Sequence, residues 1–590
     1  MNKKGLLSII IPCFNEEKTV SDVLNKVLAI SIQEWDKEII VIDDGSTDNT
    51  PKILRSFKEK VLVITQKNSG KGSAVKAGLA RANGDYIIIQ DADLEYNPEE
   101  ISTLVNKINT DKDIVIYGSR NLKKESRHNS FFIPRFGVWL ITALINILYG
   151  ARITDSWTCY KLFPKSSKNL FDVGGFESEI IFTINLLKKG YKINEYPITH
   201  KPRNWTEGKK ITYRDGLKAI WVTLSQHPLF YIIVCTTIIA ILSLTLLHKP
   251  ITYGDSPTYT EAMNFLQNKP VGNNFIPNRI ITNFFALEII ILFSKIFGSY
   301  SVGWTVLNLF FFFIISILYY KILEKLFKSE KVAFLGTMFL VSNYVFMAFG
   351  LIYLLDIWAW ASFITTFFFL LKYIDSKKYS FIILSALSVG IGGLFKEYSF
   401  GGFIAIFLFL LYENWGYFSK FIKKLFLPTV ISFGPFLIVS AIIFLNFDYS
   451  FLTWFKNNSD MYVYHSRILE NIKSLGSLYT LLVPMVIGGF YYFLKDSFKI
   501  KVHTNNSLTL SKEHIMYVII FIVSALPVFI WPAITQRILF LTVPGAILLA
   551  SYFMKRFDKY LNWFIIPLIF YLIIGLTMDS FILTHVNIPF

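Results

Sequence analysis

Acidic side chains stand directly after short apolar runs at three places early in the chain. Glu16 follows Ile9-Ile10-Ile11-Pro12, the pair Asp43-Asp44 follows Ile39-Ile40-Val41-Ile42, and Asp91-Ala92-Asp93-Leu94-Glu95 follows Ile87-Ile88-Ile89-Gln90. Carboxylates spaced as Asp91, Asp93 and Glu95 are hard oxygen ligands of the kind that suit Mg²⁺ or Mn²⁺. A row of them at a nucleotide-sized crevice would repel phosphates unless a divalent cation lay between, and that cation would neutralise a leaving diphosphate. Taken alone, Asp-x-Asp after a strand also fits a solvated turn. The glycine-rich stretch Ser69-Gly70-Lys71-Gly72-Ser73 is not a P-loop, because Thr65 stands where the first glycine of that spacing belongs.

The elements that must position these groups follow from the same text. The apolar runs 6–11, 38–42, 61–64 and 86–89 alternate with helical stretches, the first from Glu16 to about Ala29. Strands apolar on both faces, alternating with helices, predict a parallel α/β sheet. Ligands bind outside the carboxyl ends of such strands, which is where the acidic residues gather.

Composition separates this part from the rest. The chain has 590 residues, is 53% hydrophobic and only 17% charged, against roughly 25% charged in an ordinary soluble domain. With a mean hydropathy of +0.45, a single soluble globule is excluded. Residues 1–225 hold the Asp- and Gly-rich text, and residues 226–590 read as successive apolar runs. The net charge of +17 sits in short Lys- and Arg-bearing loops between those runs, so anionic lipid head groups rather than nucleic acid are the expected partner. Cys13, Cys159 and Cys235 show neither metal-ligand spacing nor an even set, which argues against a disulfide framework. The N-terminus lacks a signal-peptide apolar region, so the first part is expected in the cytoplasm, attached to a multi-pass plasma-membrane part.

The stretches Ile11-Pro12-Cys13-Phe14-Asn15-Glu16-Glu17, Val41-Ile42-Asp43-Asp44-Gly45-Ser46, Ser69-Gly70-Lys71-Gly72-Ser73-Ala74 and Asp91-Ala92-Asp93-Leu94-Glu95-Tyr96 resemble, in order and spacing, the motifs of family 2 glycosyltransferases. The likeness is to the polyprenyl-phosphate, dolichyl-phosphate mannose synthase-like branch, and it continues through Tyr117-Gly118-Ser119-Arg120 and Thr154-Asp155-Ser156-Trp157 to Lys201-Pro202-Arg203. The resemblance implies an α/β GT-A (Rossmann-like) domain that moves a hexose from a GDP- or UDP-sugar to polyprenyl phosphate. It places Pro12, Phe14, Glu16, Asp43 and Asp44 around the nucleoside with Asp91, and the metal on Asp91, Asp93 and Glu95. Arg120, Arg135 and Arg203 would face phosphates. Phe14 stands where the family usually has tyrosine, which removes one hydroxyl and leaves a ring for packing. The stretch 131–150 is apolar except for Arg135 and Asn146. Were it to span the membrane, Asp155 to Trp221 would be cut off from the nucleotide site, so an interfacial helix guiding the lipid tail is expected.

Beyond residue 226 an all-α polytopic domain is expected. Apolar runs of about spanning length occur near 228–247, 301–320, 332–355, 357–373, 381–395, 399–412, 428–446, 477–495, 515–531, 537–553 and 561–578. Counting 281–297, which holds Glu288 and Lys295, as a further span would throw Lys321, Lys325, Lys328 and Lys331 outside. Leaving it out puts them inside together with Lys372, Lys377, Lys378, Lys420, Lys423 and Lys424. The positive-inside rule therefore favours about eleven spans. That topology sets Asp255, Asp356, Lys396 and Arg537 toward the outer face, where ionisable groups at membrane depth mark a site or a paired contact. Gly254-Asp255-Ser256, Leu354-Leu355-Asp356, Gly392-Gly393-Leu394-Phe395-Lys396 and Gln536-Arg537 resemble the ordered motifs of GT-C enzymes of the protein mannosyltransferase and aminoarabinose transferase kind. The resemblance implies Asp255 as base or orienting carboxylate, with Lys396 and Arg537 on a lipid-linked phosphate. The alternatives are a membrane part that only anchors or gathers lipid carrier, or one that flips the lipid-linked sugar.

Overall fold

A computed structural model of the chain describes residues 5–108, 114–123, 132–172, 174–203, 212–246, 256–272, 278–351, 355–447, 482–503, 512–530 and 542–585. The chain divides into two compact units, Met1–Phe230 and Tyr231–Phe590.

The first unit is a seven-stranded sheet flanked by helices. Its strands are β1 (Gly5–Cys13), β2 (Trp35–Asp43), β3 (Leu62–Thr65), β4 (Tyr86–Ile89), β5 (Val115–Ser119), β6 (Lys161–Pro164) and β7 (Ile193–Pro197), in the order β3-β2-β1-β4-β6-β5-β7. Ile9, Ile10, Ile11, Ile40, Val41, Ile42 and Ile87 to Ile89 are fully buried, each burial contributing roughly 1.5–3 kcal/mol against solvent exposure. Helix α1 (Val20–Ala29) buries Val20, Val23, Leu24 and Val27, the spacing of one helical face. Helix α3 (Lys71–Arg81), which follows the short α2 (Thr50–Arg55), lies so close to the sheet that a Cβ at Gly78 would meet Ile10 and Ile42 at 2.6 and 2.7 Å.

The sheet is mixed rather than wholly parallel: β6 runs antiparallel to both β4 and β5. Apolarity on both faces marks a strand as buried but carries no information on direction, so the sequence could not reveal this reversal. Its consequence is that the amino end of β6 lies at the same sheet edge as the carboxyl ends of the parallel strands.

Helix α4 (Glu100–Val105) precedes β5, and α5 (Phe132–Tyr149) follows it. Ile141 and Ile145 of α5 join Ile180 and Ile184 of α6 (Ser178–Lys188) and Ala219 of α7 (Tyr213–Ser225) in a second small core. The opposite side of α5 leaves Trp139 59% and Ile147 78% exposed, and Trp221 of α7 is exposed as well.

The described residues of the second unit form helices. Among the described residues five helices are long and apolar enough to cross a membrane: Pro228–Leu246, Tyr300–Phe327, Asp356–Ser376, Phe418–Leu445 and Asp558–Thr577. Large apolar side chains such as Leu437, Ile438 and Leu445 stay exposed along the fourth, as suits a helix facing lipid. Helix Asn278–Phe297 is interrupted at Asn283 and is not one of the five.

Three expected spans differ. The run 332–355 is not one helix: Glu330–Val341 ends, and Tyr344–Leu351 begins anew because Asn343 Oδ1 accepts from the backbone N–H of Val345 and Phe346. Such a side chain competes with the helical ladder and starts a new N-terminus. Runs 381–395 and 399–412 form helices of 14 and 13 residues, Ser380–Gly393 and Gly401–Glu413. They are bounded by the glycine pairs 392–393 and 401–402, and at about 1.5 Å per residue both fall short of the roughly 30 Å hydrocarbon core.

Candidate active site

At the shared edge, residues following β1, β2, β4, β5 and β7 and preceding β6 enclose a cavity of about 400 Å³. Pro12, Phe14 and Glu16 line it from β1, Asp44 from β2, Lys71 from α3, and Asp91, Asp93 and Glu95 from β4. Arg120, Trp157, Cys159, Glu179 and Arg203 complete the wall.

Asp44 works through the backbone. Its Oδ1 accepts from Gln66 Nε2 (2.7 Å) and Ser69 N (3.0 Å), and its Oδ2 from Gly70 N (2.8 Å), which fixes the turn that aims α3 at the cavity. Gly45 beside it has φ +74°, and a Cβ there would lie 2.7 Å from Asn68 N, so only glycine fits this turn. Asp43 is buried, accepts from Ser46 N at 3.0 Å, and holds the loop from behind rather than lining the cavity.

Arg203 is the hub of the carboxylates. Its guanidinium lies 2.6 Å from Asp93 Oδ2, 3.1 Å from Glu16 Oε2 and 3.4 Å from Glu95 Oε1. Glu95 also meets His200 Nε2 at 3.1 Å. Against the upward push of burial, these contacts hold the Glu95 carboxyl well below the usual carboxylate range. Asp93 goes the other way: burial, then the charges of Asp91 and Glu95, push it up to about 7 against the pull of Arg203.

A second chain of charge lies deeper. Lys71 Nζ sits 2.7 Å from Asp91 Oδ1 and 2.6 Å from Glu179 Oε1, and Lys161 Nζ is 3.2 Å from Glu179 Oε2. Burial works against the Lys71 charge, but its acidic neighbours, Asp91 first, hold it well above the usual lysine range. The motif reading passed over Lys71, Lys161 and Glu179. Lys161 did leave a signal: it is a charged residue inside the otherwise apolar run Cys159-Tyr160-Lys161-Leu162-Phe163, a position rarely tolerated without a partner.

The structure thus gathers Glu16, Asp91, Asp93, Glu95, Arg120 and Arg203 on one cavity, but not in the expected arrangement. Asp91, Asp93 and Glu95 diverge, to Lys71, to Arg203, and to His200 with Arg203; among the described residues no three groups are placed to hold a metal ion. Arg120 is engaged by Asp155 through Nε (2.7 Å) and Nη2 (2.8 Å). Arg135 lines a different cavity, of about 590 Å³, with Asn121, Phe136, Trp139 and Asn146.

The charge of the first cavity does fit a divalent cation. Among the described residues that line it, six carboxylates (Glu16, Asp44, Asp91, Asp93, Glu95, Glu179) face three cations (Lys71, Arg120, Arg203), a balance that a divalent cation beside an incoming diphosphate would offset.

In the second unit, Asp356 and Lys396 are both buried, and Lys396 Nζ contacts Tyr259 Oη at 3.1 Å. Asn283 Nδ2 donates to the carbonyl of Phe395, just before Lys396. Asp255 and Arg537 lie outside the described residues.

Comparison with known proteins agrees with both halves. Residues 8–169 match the glycosyl transferase family 2 model, and residues 284–444 match the dolichyl-phosphate-mannose-protein mannosyltransferase model. The chain is 29% identical over 228 residues to a low-salt glycan biosynthesis hexosyltransferase of Haloferax volcanii, covering 38% of this chain and 54% of that one. It is 28% identical over 250 residues to an undecaprenyl-phosphate 4-deoxy-4-formamido-L-arabinose transferase of an Enterobacter species, covering 41% and 74%. With an uncharacterized protein of Methanocaldococcus jannaschii it shares 30% over 199 residues, covering 32% and 84%. The chain thus spans about half the length of the Haloferax relative. Among solved structures, glucosyl-3-phosphoglycerate synthase of Mycobacterium tuberculosis aligns with a TM-score of 0.30 and 20% identity, over 38% of this chain and 78% of that one. Residues 284–444 of the second unit are similar to the dolichyl-phosphate-mannose-protein mannosyltransferase model, and through its first unit the chain belongs to glycosyltransferase family 2.

Proposed function

We propose that the first unit transfers a hexose from a nucleoside diphosphate sugar to a polyprenyl phosphate at the cytoplasmic membrane face, and that the second passes a lipid-linked sugar to an acceptor on the outer face. The observation that carries the first half is the pairing of a carboxylate-rich cavity at the strand ends with a separate, aromatic-lined groove on α5. The cavity takes the nucleotide sugar. The groove, with Arg135 beside exposed Phe136 and Trp139, takes a lipid phosphate whose tail lies along the membrane interface. Relatives named for undecaprenyl phosphate support that acceptor class.

In the transfer, an oxygen of the acceptor phosphate bonds to the anomeric carbon as the bond from that carbon to the nucleotide β-phosphate breaks, and the nucleoside diphosphate leaves with the electron pair. A phosphate monoester is anionic near neutral pH, so the reaction calls for positioning and charge neutralisation rather than a dedicated base. Mg²⁺ or Mn²⁺, held by Asp91 and Asp93, would neutralise the diphosphate. Glu95, the expected third ligand, would have to be released by His200 and Arg203. Arg120 and Arg203 stand where they can exchange carboxylate partners for phosphate oxygens, and Pro12 and Phe14 offer the nucleoside an apolar face.

The test is a membrane assay with radiolabelled UDP- and GDP-hexoses, added polyprenyl phosphate and Mg²⁺ or Mn²⁺. Label is expected in the organic phase with one donor, falling to background when the metal is chelated. Label that enters lipid undiminished without metal removes the cation from the scheme. No label with any donor points to a non-lipid acceptor.

For the second unit, the positive-inside reading of the sequence would set Asp255, Asp356, Lys396 and Arg537 toward the outer face. Asp255 would act on the acceptor hydroxyl, and Lys396 and Arg537 would hold the phosphate leaving group. Asp255→Asn is expected to abolish outer-face transfer while lipid glycosylation by the first unit continues at the wild-type rate. Undiminished transfer in that variant, assayed in sealed vesicles, would leave the unit as an anchor or a flippase.

A further inference from the structure

The two cavities of the first unit share a wall. Arg120 and Trp157 line the carboxylate-rich cavity, whereas the adjacent Asn121, with Ile153 and Thr154, lines the α5 groove. The strip between them hangs on one carboxylate that lines neither. Glu195, in β7, accepts from Thr154 N (2.6 Å) and Thr154 Oγ1 (2.8 Å) through Oε2, and from Asp155 N (2.9 Å) through Oε1. Asp155, held in this way, accepts from the backbone N–H, Nε and Nη2 of Arg120 at 3.0, 2.7 and 2.8 Å. Asn121 Nδ2 donates to the carbonyl of Thr154 at 2.7 Å. Both faces of the wall are therefore tied to the turn that Glu195 grips.

We propose that Glu195 is a positioning residue for the transfer: it holds the wall across which the acceptor phosphate in the groove meets the donor sugar. This rests on the assignment of the two cavities to donor and acceptor. The nucleoside-facing groups Pro12, Phe14 and Asp44 belong to β1 and β2, on the far side of the sheet order from β7. Loosening the 154–155 turn should thus disturb the acceptor side most, reach the donor only through Arg120, and leave the nucleoside-facing groups in place. A glutamine at this position keeps the size but offers one acceptor oxygen where two backbone N–H groups need one each, so its amide NH₂ faces a donor.

The experiment uses the full chain in lipid nanodiscs, with the labelled donor found in the membrane assay and undecaprenyl phosphate varied. Glu195→Gln is expected to raise KM for undecaprenyl phosphate about tenfold, or about 1.4 kcal/mol, with a smaller rise in KM for the donor passed on through Arg120. Thr154→Val, which removes one of the three donors, should give a smaller rise in the same parameter, and it carries the test if the glutamine variant does not fold. Nucleotide affinity on the same preparations reports folding. Equal rises in both constants, or no change in either, would overturn the proposal. A wild-type enzyme that binds nucleotide but transfers nothing to undecaprenyl phosphate would overturn the acceptor assignment itself, and this proposal with it.

Discussion

Replacing Asp93 by alanine is expected to lower sugar transfer to polyprenyl phosphate by at least about a thousandfold, or about 4 kcal/mol in the barrier, while the protein still folds. Asp93 has two tasks in the structure: it lies 2.6 Å from Arg203 and faces the cavity beside Asp91. Alanine removes a proposed metal ligand at the position where leaving-group charge develops, and such electrostatic contributions are among the largest in catalysis. Folding survives because Arg203 keeps Glu16 and Glu95 as partners. Organic-phase counts with saturating donor measure the rate, and nucleotide titration on the same sample separates lost chemistry from lost binding. A rate within tenfold of wild type would remove Asp93 from the reaction.

Lys71→Met is expected to damage both stability and activity. The side chain joins Asp91 to Glu179, and Glu179 in turn joins Lys161. Methionine fills the same space without charge, takes this cation from Asp91 and leaves Glu179 with Lys161 alone. Breaking a buried pair from one side typically costs 3–5 kcal/mol, which for a unit of this size lowers the melting temperature by about 10 °C. Transfer should fall by at least about a hundredfold, because Asp91 loses the contact that orients it toward the cavity. The double variant Lys71→Met with Asp91→Asn should recover part of the stability and none of the activity, since it neutralises the carboxylate that lost its cation but removes a proposed metal ligand. Thermal unfolding of the full-length protein in detergent, alongside the lipid assay, gives both readings. If the single and double variants melt alike, the network is not the source of the stability.

How much of this was legible beforehand depends on the range of the interaction involved. The strands β1, β2 and β4 and the acidic residues after them were readable because burial pattern is local: Ile9 to Ile11 must be inside, although β1 runs on through Pro12 to Cys13. That the same carboxylates share an edge followed from the parallel order of these strands. The five long apolar helices of the second unit were readable for the same local reason, whereas the break at Asn343 depended on one side chain capping the backbone two and three residues on.

Partners were another matter. The sequence by itself determined the glycosyltransferase domain, the edge at which its acidic motifs collect, and the helical character of the described residues after it. Only the tertiary structure decided that β6 runs backwards and brings Trp157 and Cys159 to that edge. It also decided that Arg203 gathers Glu16, Asp93 and Glu95, that Lys71 takes Asp91, and that Glu195 holds the wall carrying Arg120. Spacing along a chain fixes which edge or face a residue joins, because strand and helix periods are short. What it meets there is a charged group arriving from far along the chain, as Arg203 does on Glu16, and only the packed fold brings such groups within reach.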